Sequence, residues 1–135
     1  VEWNYQVLLK HNLVCTGTTG KMIEGVIRRK LVKENAAETA KSITILKSGP
    51  LGGDQQLGAM ITEGAIDILI FFWDPMEPQP HDVDVKALLR IAVVSNIPVA
   101  CNRSTADFMI SSPLVDEVYE PKLKDYSEYL ARPLD

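Results

Sequence analysis

Nine consecutive residues hold most of the reactive chemistry of this chain: Ser48-Gly49-Pro50-Leu51-Gly52-Gly53-Asp54-Gln55-Gln56. They lie between an apolar β-like run, Ile43–Leu46, and a helix-like run, Leu57–Glu63. Glycines and a proline ahead of an acid let the backbone turn tightly and approach a ligand closely. The start of the following helix offers unpaired N–H groups and partial positive charge. Asp54, delivered to such a place, is a candidate base. A lone aspartate there also fits an N-cap. The Gly52-Gly53 pair weakens that reading, as do Gln55 and Gln56, which could orient the acid and donate hydrogen bonds to an oxyanion.

A second group is Thr16-Gly17-Thr18-Thr19-Gly20, which follows the short strand Leu13–Cys15 and leads into a helix over Lys21–Lys33. Hydroxyls and free N–H groups at a helix start form a phosphate cradle. The run lacks the lysine and spacing of a P-loop and is not GxGxxG. A capped helix with Thr16 or Thr18 as N-cap explains it equally well. Ser48 and Gly49 could add a hydroxyl and an amide to the same anion. A third group is Pro80-His81-Asp82-Val83-Asp84. His81 and Asp84 are three residues apart and share a face if a helix begins there. An imidazole that polarises a carbonyl beside a carboxylate that moves protons suits enol chemistry. Asp82 reads as a surface or capping residue. Asp74, before Pro75, reads as a turn residue whose position at a strand end keeps it a candidate. A metal site needs more ligands than one histidine and scattered acids, so none is expected.

At 135 residues the chain is one domain able to bury roughly two-thirds of its unfolded surface. A net charge of −4 argues against a nucleic-acid binder but not against a small anionic substrate held by local amides and hydroxyls. No apolar run approaches the ~18 residues of a membrane span. Cys15 and Cys101 each end a short apolar run, as buried or half-buried free thiols of a reducing cytoplasm do.

The elements that must position these loops alternate along the chain. Val1–Lys10 is amphipathic, and Lys21–Lys33 turns Met22, Val26 and Ile27 inward. Glu34–Ser42 is a polar connection, and Gly64 is a stop for the helix after Asp54. Ile66–Trp73 is the strongest strand, and its unbroken apolar character predicts burial on both faces. Val85–Ser95 predicts a helix, Pro98–Cys101 a strand, Ser104–Ile110 a helix, Val115–Tyr119 a last short strand and Lys122–Leu130 a closing helix. The rhythm predicts a three-layer α/β/α fold with a mostly parallel sheet, an open Rossmann-like arrangement. Ligands of such sheets sit beyond the carboxyl ends of the strands, where all three groups fall.

Thr16–Gly20, Ser48–Gln56, Ile68-Leu-Ile-Phe-Phe-Trp-Asp-Pro75 and Pro80-His-Asp-Val-Asp-Val-Lys86 together resemble methylglyoxal synthase, in order and from about Leu13 to the end. The resemblance implies a cofactor-free lyase that converts dihydroxyacetone phosphate to methylglyoxal and inorganic phosphate. It implies that Asp54 removes a C3 proton, that His81 meets the substrate oxygens, and that Asp84 supports them. Thr16, Gly17, Thr18, Thr19, Ser48 and Gly49 match its phosphate-binding positions. It also implies a homohexamer regulated by phosphate. Arg90 and Arg132 are candidate inter-subunit partners. A carboxylate can act as the base where partial burial raises its pKa. Elimination further needs the ester bond held out of the enediolate plane, which the cradle must enforce.

Two departures stand out. The family normally begins with a further central strand, ending in a His-Asp pair followed by a phosphate-binding lysine, so the working protein is expected to have more N-terminal residues than Val1 onward. The segment Lys21–Lys47 is also longer than the family pattern, with its excess near Glu34–Ser42 expected at the surface. Cys15 and Cys101 replace small or hydroxyl residues, on strands the family places on opposite sides of the sheet. The rival reading is a non-catalytic anion-binding regulatory domain, of the kind that ends carbamoyl phosphate synthetases. Retention of Asp54, His81 and Asp84 together favours the enzyme. A purine-pathway cyclohydrolase fits poorly, because no second catalytic domain is present.

Overall fold

Strand and helix alternate as the apolar pattern requires. The computed structural model describes residues 1–34, 43–77 and 82–133. The helices are α1 (Tyr5–Leu8), α2 (Gly17–Lys33), α3 (Gly53–Thr62), α4 (Asp82–Val94), α5 (Arg103–Ser111) and α6 (Ser127–Leu130). The strands are β1 (Val14–Cys15), β2 (Thr44–Ile45), β3 (Leu69–Ile70) and β4 (Val99–Ala100). β1 pairs with β2 and β3 with β4, both in parallel. Among the described residues the two pairs are not joined by a ladder.

The helices form two layers around these strands. Side chains alternate across a strand, so the register Val14↔Thr44 and Cys15↔Ile45 puts Cys15 and Ile45 on one face. α2 covers that face, where Gly20 lies against Ile45 and Cys15. Val14 and Leu46 turn to the other face and pack on a core of Leu57 and Ile61 from α3, Leu69 from β3, and Leu88 and Ala92 from α4. α5 packs on β4. α1 is tied to α5 through Asn4–Asp107 at 3.2 Å, and to the end of α2 through a hydrogen bond from the Tyr5 hydroxyl to Glu34. The chain is therefore three-layered α/β/α with parallel strands, as its pattern predicts.

Several expectations are corrected. Ile66–Trp73 is not covered on both faces. Leu69 and Phe71 face the core, while Ile68, Ile70 and Phe72, on the other face, are 37%, 40% and 60% exposed. Val115–Tyr119 is not a strand. Pro113–Asp116 forms a 3₁₀ helix capped by the Ser112 side chain, with Pro113 supplying a preset φ at its start. The closing helix starts only at Ser127, and α1 is a single turn. Met22 is 66% exposed rather than inward, because the buried stripe of α2 runs through Gly20 and Ile27 instead. Most of the Glu34–Ser42 connection lies outside the described residues.

Cys15 is buried and Cys101 half-buried, both thiols are free, and they stand at different strand pairs. Burial pushes the Cys15 thiol up, so less of it is thiolate at pH 8 than of an ordinary cysteine. Mild alkylation of the native protein should label Cys101 first and Cys15 only after unfolding. Equal labelling by mass spectrometry would contradict this.

Candidate active site

The loop after β2 explains how Asp54 reaches its place. Gly49–Leu51 forms one 3₁₀ turn, and Gly52 then takes φ +96°, ψ 12° and serves as the N-cap of α3. The Ser48 carbonyl accepts the N–H groups of both Leu51 and Gly53, at 3.0 Å each. A positive φ at that point favours glycine. Gly53 is packed more tightly still, since a Cβ there would fall 2.1 Å from the Lys47 carbonyl oxygen. With Gly52 as the cap, Asp54 is not an N-cap. It lies in the first turn of α3, 5% exposed, where its charge opposes the helix dipole favourably.

The carboxylate of Asp54 folds back onto Gly49. A Cβ on Gly49 would sit 2.9 Å from Oδ2 and 3.2 Å from Oδ1. The acid and the glycine that the sequence assigns to phosphate therefore touch. Gln56 plays a different part from the one expected. Its Oε1 accepts the Lys47 N–H at 2.9 Å and so clamps the start of α3 to the end of β2. Nothing in the sequence signals this backbone contact.

The loop after β1 meets the same place. Thr16 is the N-cap of α2 with extended backbone, yet its side chain makes no capping hydrogen bond. The same holds for Ser48 at the 3₁₀ turn. The Gly17 N–H donates to the Lys47 carbonyl at 3.1 Å, and a Cβ on Gly17 would approach the Ser48 nitrogen to 3.1 Å. Gly17, Thr18 and Ser48 then line one open cleft of about 570 Å³ with Lys21, Met22, Ile45 and Leu46. Thr19 is exposed beside it. A helix start, two side-chain hydroxyls uncommitted to capping and a buried acid nearby can hold an anion and serve a proton transfer next to it.

The third loop is only partly described. Asp84 is half-buried in the first turn of α4, which packs along α3. Asp82 pairs with Lys86 at 2.9 Å, a surface contact as expected. Asp74 is exposed, and its Oδ1 accepts the Met76 N–H at 2.9 Å, so its carboxylate shapes its own turn. His81 lies outside the described residues. Among the described residues, no group of three or more His, Cys, Asp or Glu side chains is placed to hold a metal ion.

The MGS-like domain model matches residues 4–101. The chain belongs to the MGS-like domain family. Its relatives within that family are close. The methylglyoxal synthase of Maridesulfovibrio salexigens is 59% identical over 136 residues, spanning 99% of this chain and 86% of that one. The methylglyoxal synthase of Cellvibrio japonicus is 56% identical over 125 residues, spanning 93% of this chain and 73% of that one. The crystal structure of methylglyoxal synthase from Elizabethkingia anophelis NUHP1 superposes with a TM-score of 0.83 at 50% identity, covering 100% of this chain and 81% of that one. The loops after β1 and β2 thus meet at one strand edge, with the Asp54 carboxylate against Gly49.

Proposed function

We propose that the protein is a lyase that converts dihydroxyacetone phosphate to methylglyoxal and inorganic phosphate. The contact between the buried Asp54 carboxylate and Gly49 carries this reading, because it sets a base beside a phosphate cradle. The cradle consists of Thr16, Gly17, Thr18, Thr19, Ser48 and Gly49. Asp54 takes a proton from C3, the C–H pair becomes a C2=C3 double bond, and the carbonyl pair moves onto the C2 oxygen, leaving an enediolate. Preorganised donors stabilise the developing negative charge, a part we assign to His81 with Asp84 in support. Loss of the C3 hydroxyl proton then drives the C1–O bond to break, expelling phosphate from C1. The resulting enol tautomerises to methylglyoxal. The cradle must hold the C1–O bond out of the enediolate plane for this step. We assign Asp74 to shaping the loop that leads towards His81 rather than to proton transfer.

One core joins both strand pairs, which supports residues 1–135 acting as a single domain. We extend the reading to a cytoplasmic homohexamer that inorganic phosphate inhibits as product, with exposed Arg90 and Arg132 at subunit contacts. Light scattering on the purified protein tests the subunit number.

The test of function is incubation of the protein with dihydroxyacetone phosphate. Inorganic phosphate and a dicarbonyl should appear in equal amounts. Phosphate binding without turnover would overturn the lyase and favour a regulatory domain.

A further inference from the structure

We propose that Lys21 is a further substrate-binding residue, which pairs with the phosphate of the bound ester at the mouth of the cleft. This rests on the lyase reading above and names one more group of the same site. Among the described residues lining the cleft, Lys21 is the one that carries a charge. It stands four residues after Gly17 and three after Thr18, on the same face of α2, and side chains of a helix lean towards its N-terminus. Lys21 lines the same cleft as Gly17, Thr18 and Ser48.

The start of α2 carries partial positive charge, and Lys21 adds a cation one turn further along the same cleft. The first turn of α2 holds no acidic residue, and Lys21 forms no ion pair with any described residue. Lys30 and Lys33, in contrast, stand in the last turn, where the dipole favours cations. A phosphate at the cleft would offset both sources of positive charge at once. Met22, Ile45 and Leu46 line the cleft beside it.

The experiment compares the wild-type protein with Lys21→Gln and Lys21→Arg. Lys21→Gln should raise KM for dihydroxyacetone phosphate and Ki for inorganic phosphate about 5- to 10-fold, within the range of one partly exposed charge-assisted contact. The turnover number should stay within about two-fold, because the proton transfer is untouched. Lys21→Arg should restore most of the affinity, and rising salt should weaken phosphate binding less in Lys21→Gln than in the wild type. An active wild type whose KM and Ki do not change in Lys21→Gln would overturn the role of Lys21 alone. A fall in turnover with unchanged KM would overturn it too. A wild type without turnover would overturn the lyase reading, and calorimetry with inorganic phosphate would still decide Lys21: weaker binding by Lys21→Gln supports its role, and equal binding refutes it.

Discussion

Asp54→Asn is expected to lower turnover of dihydroxyacetone phosphate by roughly 10³-fold, within the range for loss of a general base. Asparagine keeps the size and shape that fill the space against Gly49, so the fold should survive. Phosphate affinity should hold or rise slightly, since a negative charge beside the cradle has been removed and Thr16, Thr18 and Ser48 are untouched. Steady-state kinetics and calorimetry with inorganic phosphate read the two effects separately. Loss of both together would make Asp54 a structural residue of the loop rather than its base.

Gly53→Ala is expected to damage the fold and the site at once. Its Cβ would meet the Lys47 carbonyl oxygen at 2.1 Å, and the obstacle is backbone that cannot rotate aside. Relief requires α3 to shift away from the end of β2, straining the bond from Lys47 N–H to Gln56. Overpacking of this kind costs about 3 kcal/mol, which lowers Tm by on the order of 10 °C in a domain of this size. Activity at a permissive temperature should also fall, because Asp54 moves with α3. Gly58→Ala is the matched control: it lies in the same helix with nothing within 4 Å of its Cβ. Alanine there should stabilise by about 0.5–1 kcal/mol through helix propensity. Equal melting temperatures for the two variants would refute the tight seat of Gly53.

Much of the site was legible from residue types. Thr16–Gly20 and Ser48–Gln56 combine glycines with hydroxyls or an acid at strand ends, and the structure brings Gly17, Ser48 and Asp54 to one edge. Both helices nevertheless start earlier than their apolar runs suggest, at Gly17 and Gly53. Glycine is a poor helix former, so periodicity hides a glycine that opens a helix. Met22 misled for a related reason: α2 is rotated so that the small Gly20 faces β1 and β2, which tips Met22 out. Val115–Tyr119 has β-branched and aromatic residues, yet β propensity follows packing context, and Ser112-Pro113 had already started a 3₁₀ turn. The exposure of Ile70 and Phe72 depends on which elements cover that face, and composition carries no such information. The clamp by Gln56 and the seating of Asp54 on Gly49 are three-dimensional contacts with no pattern of their own.

The most direct measurement is a crystal structure with a phosphorylated hydroxamate that imitates the enediolate. The expected result places its phosphoryl oxygens within about 3 Å of the Thr18 and Ser48 hydroxyls and the Gly49 amide, with an Asp54 oxygen facing the atom that stands for C3. A mimic bound at another surface, or an Asp54 carboxylate turned away from that atom, would contradict the assignment.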